Sequence, residues 1–349
     1  MSTFDPTNVD LTTAKLADVL CYLYSGADDG ADYLGARISS VFVILITSTV
    51  VTFFPVVAKR VRRLKIPNTA YLVARYFGSG VILATAFVHL LDPAYYEIGQ
   101  NTCVGATGNW AQYSWPPAFA LLCIVITFLL DFGASLYVER KYGIRHTHDE
   151  PVARYIAHDE EAAGAAQEEE TSTNTSSTDE KALENEKSVQ QQLAAFLILE
   201  FGVLFHSVII GLTLGIVGSE FKVLYIVIIF HQAFEGLGIG ARMSSIPFRP
   251  TSWLPWLLCS AYGLTTPISI AIGLAVRESL NLNSFNAMIV EGILDASSGG
   301  VLIYTSLVEL IAHDFIFNPN RTSDPKELAV ILTSFLAGIA IMSLLGKWI

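Results

Sequence analysis

Two histidines and a glutamate lie in neighbouring apolar stretches of the chain, where charged or metal-binding side chains are rare. His206 lies in LILEFGVLFHSVIIGLTLG, and His231 and Glu235 lie in IVIIFHQAFEGLGIGARM. His231 and Glu235 are four residues apart, so on a helix they share one face. Ser207 and Gln232 follow the two histidines directly. Imidazole nitrogens and a carboxylate oxygen bind Zn²⁺ well and also accept Fe²⁺ or Mn²⁺.

A mixed site of nitrogen and oxygen donors suits a protein that must bind an ion and then release it. Water can complete the coordination shell of such a site, whereas a closed set of thiolates would hold zinc more permanently. The alternative is that these polar groups form a hydrogen-bonded network that only pins two helices together. Because two histidines and a glutamate share one depth in the chain's apolar runs, we favour a metal site.

Other acidic and histidine residues stand in or at the ends of apolar runs. A charged group at the centre of a bilayer costs about 2.5–3.5 kcal/mol on insertion scales, so such groups are functional candidates. The alternative for each pair is a solvated helix end or a structural ion pair. Three pairs are candidates, the first two for the entrance of an ion and the last for its exit: His89 and Asp92, Glu291 and Asp295, and Glu309 and His313.

The elements that carry these residues are predicted from hydropathy. The chain is 52% hydrophobic and only 15% charged, with a mean hydropathy of +0.48, whereas a soluble domain is nearer about 25% charged. Its apolar residues gather into runs close to the roughly 20 residues that cross a bilayer as a helix. They lack the alternation of a membrane barrel. The eight runs are Ile38–Val57, Tyr71–Leu91, Pro117–Tyr137, Leu193–Val217, Val223–Gly240, Leu254–Ala275, Ala287–Ile311 and Leu328–Leu345.

The fold class predicted is therefore an all-α membrane protein with eight transmembrane helices in a 3+2+3 arrangement. Small residues recur four apart in helix 4 (Gly211, Gly215) and helix 5 (Gly236, Gly240). Such stripes let helices approach closely, and we expect them to bring the two histidine-bearing helices together.

Basic residues predict the orientation, because they mark the cytosolic side of a membrane protein. The link between helices 1 and 2 is the most basic segment, and the end of helix 3 agrees with it. Counting through eight helices places both termini outside the cell. The basic residues are Lys59, Arg60, Arg62, Arg63, Lys65, Arg140, Lys141 and Arg145.

A polar, acidic segment separates helix 3 from helix 4. Residues 143–190 are poor in large apolar side chains, and such a segment cannot bury enough surface to become ordered. We expect a disordered cytosolic loop whose His146, His148 and His158 gather or sense metal, or else an acidic linker with incidental histidines. The predicted domains are an extracellular segment (1–34), helices 1–3 (35–142), this loop (143–190) and helices 4–8 (191–349).

The four cysteines do not have the close spacing of a cysteine zinc site. Cys123 and Cys259 lie within apolar runs, where we interpret them as packing residues. Cys21 and Cys103 fall in segments predicted to be extracellular. A disulfide between them is one option that the sequence leaves open.

Two motifs in consecutive helices resemble the ZIP family of metal transporters. They are HSVIIGLTLG (206–215) and HQAFEGLGIG (231–240), and they follow a long loop that contains histidines. The segments LGARISS, GVILATAFVHLL, TTPISIAIG and GVLIYTSLVELIAHDFIFNP are similar to the fungal plasma-membrane zinc-uptake branch of that family. The resemblance covers most of the chain except the N-terminal segment and the central loop.

The resemblance implies eight helices, both termini outside the cell and a metal route lined by helices 4 and 5. It also implies that helices 1, 4, 5 and 6 move as a group against the others. By motif position, it assigns the transport site to His206, Ser207, His231, Gln232 and Glu235.

One departure from the family pattern affects the expected number of ions. Some members have glutamates where this chain has Ile210 and Thr266, so we expect one transported ion per site. Zn²⁺ is expected as cargo, and no tightly bound cofactor is expected. The expected partners are divalent metal ions and the lipid bilayer but no nucleic acid, with a homodimer as one option for assembly.

Four functions compete at this stage. The first is a zinc importer, and the second is the same carrier with iron, manganese or several metals as cargo, which the ligand types do not distinguish. The third is a membrane-embedded zinc hydrolase, which would need a closed set of ligands, an activated water and a general acid or base. The fourth is a metal-sensing receptor that uses the acidic loop. We favour the zinc importer and expect no enzymatic activity.

Overall fold

A computed structural model describes most of the chain, and its described residues are almost all helical, without a β-strand. Eight of its helices are long and apolar enough to cross a membrane. This confirms the predicted all-α membrane protein with eight membrane-spanning helices. The described residues are 14–25, 33–61, 66–142, 176–217, 221–248, 251–277, 284–317 and 322–348.

The eight long helices match the eight apolar runs in order. A short helix, Leu16–Ser25, precedes them. The seventh long helix continues at its C-terminal end as a π-helix over Thr305–Phe317. The long helices are α1 (Leu34–Arg60), α2 (Asn68–Ile98), α3 (Trp115–Tyr142), α4 (Ser176–Ile216), α5 (Phe221–Ser245), α6 (Leu254–Val276), α7 (Phe285–Tyr304) and α8 (Pro325–Leu345).

The helix α4 is longer than a membrane span requires. It begins at Ser176, inside the segment assigned to the loop, and its membrane-spanning part is Gln192–Ile216. The loop histidines His146, His148 and His158 lie outside the described residues, so their metal-gathering role stays a prediction.

The eight helices pack as two groups of four. Extensive contacts join α4 to α6 and α1 to both α5 and α6, and we call these four helices the site group. The second set of close contacts joins α2 to α8, α3 to α7 and α2 to α7, and we call these four the frame group. The two groups meet mainly where α2 contacts α5 and where α7 contacts α4.

The outer helices of the frame group contribute little to the core. Only 11% of the apolar window of α3 and 17% of that of α8 is buried inside the protein, against 56% for α5. The apolar side chains on their free faces, such as Leu129 and Leu336, are suited to contact with lipid, where apolar surface carries no cost.

The small-residue stripes permit close approach as predicted, but their partners differ from the prediction. An added Cβ on Gly211 would lie 2.6 Å from Ser269 Cβ on α6, and one on Gly240 would lie 2.1 Å from the Thr52 carbonyl oxygen on α1. The stripes therefore fasten α4 to α6 and α5 to α1, rather than α4 to α5. Glycine spacing shows that a backbone can approach but does not identify the approaching helix.

A buried arginine fastens the end of α4 to α1 and α5. Arg37 on α1 is fully buried and donates to the backbone carbonyl oxygens of Gly215, at 3.1 Å, and Val217. Its guanidinium also lies 4.6 Å from the ring centre of Phe221 on α5. These carbonyls at the end of α4 have no partner within the helix, so Arg37 fastens the end of α4 beside the start of α5.

A disulfide joins the N-terminal helix to the connection between α2 and α3. Cys21 and Cys103 are bonded, which is the pairing that the sequence had left open. Their surroundings include Ile98, Trp115 and Met288. We call this face of the molecule the outer side, because the basic residues predict it to be extracellular, and the opposite face the inner side.

Candidate metal centre

Three side chains from α4 and α5 converge on one point in the interior. His206, His231 and Glu235 are at most 1% exposed, and their donor atoms all lie within 4.8 Å of one another. The two Nε2 atoms are 3.1 Å apart, and His231 Nε2 is 3.2 Å from Glu235 Oε1. Among the described residues, these three are the group of three or more histidine, cysteine and acidic side chains whose donor atoms lie close enough to share one metal ion.

The spacing of these donor atoms fits a zinc ion. Zinc lies about 2.0–2.1 Å from histidine nitrogen and is usually tetrahedral, which places neighbouring ligand atoms roughly 3.3 Å apart. The observed separations of 3.1 and 3.2 Å are close to that value. An ion between the groups would therefore need only small side-chain movements.

Several polar atoms of the cluster are buried without a hydrogen-bond partner. They are Nδ1 of His206, Nδ1 of His231 and Oε2 of Glu235. Buried polar atoms are normally paired, and unpaired ones need an explanation such as an ion or water. The second carboxylate oxygen of Glu235 therefore has no protein partner that would compete with a bound cation.

A threonine on α2 holds the carboxylate of Glu235. The Thr85 hydroxyl is fully buried and donates to Glu235 Oε1 at 2.9 Å. Thr85 begins a π-helical turn, Thr85–Leu91, inside α2, and such turns are frequent at functional sites. This contact crosses from the frame group to the site group.

The same π-helical turn places a third histidine beside the cluster. His89 is 3% exposed, and its ring centre is 5.0 Å from that of His231. Its Nε2 is 3.1 Å from the backbone carbonyl oxygen of Met342 on α8, while its Nδ1 has no partner. The sequence had paired His89 with Asp92 at the outer face, but Asp92 is exposed and His89 lies next to the cluster.

Of the two remaining transport-site residues assigned by motif, Gln232 is bound by α6. Gln232 donates through Nε2 to Thr266 Oγ1 at 2.5 Å and accepts from the Tyr262 hydroxyl at 2.5 Å. Both ends of its amide are therefore engaged by α6. The hydroxyl of Ser207 is fully buried without a hydrogen-bond partner.

The predicted entrance residues of α7 lie toward the outer side. Glu291 accepts a hydrogen bond from the Thr213 hydroxyl at 3.1 Å, and Thr213 is seven residues from His206, about 10 Å along α4. Asp295, one turn further along α7, is buried. Glu97 on α2 adds a third carboxylate to this region. Its Cβ lies 2.9 Å from the position that a Cβ on Gly292, the residue after Glu291, would occupy.

The predicted exit residues lie beyond the other end of α7, in the π-helix Thr305–Phe317 that continues it. The carboxyl group of Glu309 is in hydrogen-bonding contact with Asp131 on α3, and Arg242 donates to the backbone carbonyl oxygen of Glu309 at 3.5 Å. The hydroxyl of Tyr304 donates to Asp131 at 2.9 Å. Since His313 is exposed, this group lies between the interior and the inner surface.

Comparison with known proteins identifies the family. The family model described as "ZIP Zinc transporter" matches residues 34–346. The chain belongs to the ZIP family of zinc transporters. Zinc-regulated transporter 1 of Saccharomyces cerevisiae is 52% identical to it over 99% of this chain and 97% of the relative.

Other members of the family are more distant but similarly complete. Zinc-regulated transporter 1 of Schizosaccharomyces pombe is 40% identical, with 90% of this chain and 86% of the relative covered. Zinc transporter 3 of Arabidopsis thaliana is 31% identical, with 93% and 88% covered. The resemblance found in the helix 4 and helix 5 motifs is thereby confirmed, and this ZIP-family chain is a multi-pass membrane protein.

Sequence reasoning missed two residues that contact the predicted ligands. Thr85 holds Glu235, and Tyr262 holds Gln232. Thr85 precedes His89 by four residues, so a search for polar residues on the face of His89 would have found it. Tyr262 carries no comparable signal, because a tyrosine in an apolar run is ordinary.

Proposed function

We propose that this ZIP-family chain moves Zn²⁺ into the cytosol through a site formed by His206, His231 and Glu235. The observation that carries the proposal is the buried cluster in which these donors already stand at zinc-like spacing. The names of its relatives as zinc transporters agree with this cargo. Iron and manganese would accept the same donors, so competition with Fe²⁺ and Mn²⁺ in the assay below ranks the cargo.

The proposed ligands are two imidazoles and one carboxylate, with water in the fourth position. This set leaves the ion exchangeable, because an open position lets an incoming or outgoing ligand replace the water. Gln232 and Ser207 act from the α6 side. The hydrogen bonds between Gln232 and α6 hold the turn of α5 that contains His231. One ion fits this centre, since Ile210 and Thr266 supply no further carboxylate.

The proposed route runs along α7 and α2. An ion enters beside Glu291 and Asp295, passes His89 and reaches the centre. It leaves toward Glu309 and His313 on the inner side. The orientation follows from the basic residues, which place both termini outside the cell, and the chain is proposed to reside in the plasma membrane.

Reconstitution in liposomes tests the proposal directly. Uptake of radioactive zinc is measured for the wild type and for His206→Ala and Glu235→Ala, and we expect both variants to lose it. Glu327→Gln serves as a control, because Glu327 is an exposed carboxylate at the start of α8. Undiminished uptake by His206→Ala and Glu235→Ala would remove the site assignment. Stoichiometric retention of zinc without flux would instead favour a hydrolase or a receptor.

A further inference from the structure

Glu200 on α4 is a buried acid that the transport site does not use. Its side chain is 3% exposed, and neither carboxylate oxygen has a hydrogen-bond partner. A carboxylate removed from water without a partner is costly, and buried charges are usually paired or bind metals. In this position the carboxyl group is either protonated or paired with a cation, and a cation would also supply the missing partner of its oxygens.

A free cysteine on α6 faces the same region. Cys259 is fully buried and outside the disulfide, and it packs in the same buried cluster as Leu199, the neighbour of Glu200 on α4. The packing of the two helices agrees: Gly211 meets Ser269, and Gly215 meets Gly273. The helices thus run in parallel, and the same register sets Glu200 opposite the turn that contains Cys259.

Polar groups connect this pair to the transport site. Ser207 is seven residues from Glu200, hence on the same helical face two turns away, and its hydroxyl is also buried without a partner. Tyr262 packs in the same buried cluster as Leu199 and Cys259 and donates to Gln232. Glu200 is six residues from His206, about 9 Å along α4 toward the inner side.

We propose that Glu200 and Cys259 form a second cation site between α4 and α6, for a thiophilic divalent ion such as Zn²⁺ or Cd²⁺. The carboxylate oxygen and the thiolate sulfur would be its protein ligands, and the thiol would release its proton to water as the ion binds. Carboxylate and thiolate together suit zinc and softer ions. Sequence analysis had treated Cys259 as a packing residue, because its carboxylate partner lies on another helix.

The role of this site depends on the proposed transport function, but its existence does not. An ion that leaves His206 and His231 toward the cytosol would meet Glu200 and Cys259 next. In uptake assays, Glu200→Gln and Cys259→Ser are then expected to lower the maximal rate of zinc uptake and leave KM unchanged. A rate equal to that of the wild type in both variants would refute this role.

Cadmium titration of the purified full-length protein in detergent tests the site itself. Cadmium bound to thiolate gives a charge-transfer absorption that nitrogen and oxygen ligands do not give. We expect this absorption in the wild type, in Cys123→Ser and in the double variant His206→Ala/Glu235→Ala, and its loss in Cys259→Ser and Cys259→Ala. Glu200→Gln should weaken cadmium binding at least about tenfold.

Two controls accompany the cadmium titration: the folding of each variant and the independence of this site from the transport site. Each variant is compared for elution as a single species and for its thermal melting. A wild type without the cadmium–thiolate absorption, or an absorption that survives in folded Cys259→Ser, overturns the proposal. An unchanged titration midpoint in Glu200→Gln also overturns it. If zinc flux proves insensitive to His206→Ala and Glu235→Ala, the transport site falls, whereas the optical result for Cys259 is unaffected.

Discussion

The contact between Thr85 and Glu235 offers a sharp test of the site, because it reaches the proposed ligand without touching the ion. Thr85→Val removes the hydroxyl that donates to Glu235 Oε1 at 2.9 Å and keeps a similar shape. The carboxylate then loses a charged hydrogen bond in a fully buried position, and its orientation toward the two histidines is less restricted.

The size of the effect follows from the kind of bond. A hydrogen bond to a charged group contributes about 1.5–3 kcal/mol, and each 1.4 kcal/mol is about tenfold in affinity. The loss is therefore roughly 10–150-fold in zinc affinity. Loss of a group that orients a metal ligand costs about 10–100-fold in other metal sites, which agrees with this range.

Radioactive zinc uptake over a range of concentrations measures the change as a rise in KM. Thr85→Ser keeps the hydroxyl and is the matched control, so its KM should stay near that of the wild type. The amount of protein in the membrane is determined for each variant. A normal KM in Thr85→Val would refute the reasoning. An equal loss in Thr85→Ser would assign the effect to packing around the methyl group.

Two further predictions concern the packing and the outer side. In Gly78→Ala, the new Cβ would lie 2.1 Å from Gly238 Cα, so we expect a loss of about 1–3 kcal/mol or more from overpacking and a lower melting temperature in detergent. Gly35→Ala meets no atom within 4 Å and should melt like the wild type; an equal drop in both variants would contradict the packing argument. Maleimide labelling of the denatured, unreduced protein should leave Cys21 and Cys103 unmodified, and their labelling before reduction would contradict the disulfide.

The sequence was sufficient to predict the eight helices, and it named the three side chains that the structure brings together. A backbone in lipid must satisfy its hydrogen bonds within the helix, so apolar runs such as Leu254–Ala275 correspond closely to the observed α6, Leu254–Val276. His231 and Glu235 share a face through helical periodicity alone. The step from one helix to two was inferred from the shared depth of the histidines and from the glycine stripes, although those stripes in fact contact α6 and α1.

Side-chain partners across helices were not predictable in the same way. His89 lies in a π-helical turn, and a pattern based on 3.6 residues per turn does not anticipate the shift that such a turn introduces. Gln232 was grouped with the metal ligands by its motif position, whereas α6 engages both ends of its amide. Glu200 and Cys259 are far apart in sequence and become a candidate pair only when α4 and α6 pack in register.

The distribution of contacts over the two helix groups suggests how an ion could be released. All three proposed ligands belong to the site group, so an ion held by them would stay with that group if it shifted against the frame. Thr85 and His89 belong to the frame group, and a shift would separate them from Glu235 and His231. The carboxylate would then lose its orienting hydrogen bond, and the affinity of the site would fall. A movement of the site group against the frame would thereby weaken the binding of the ion without any change in its three ligands.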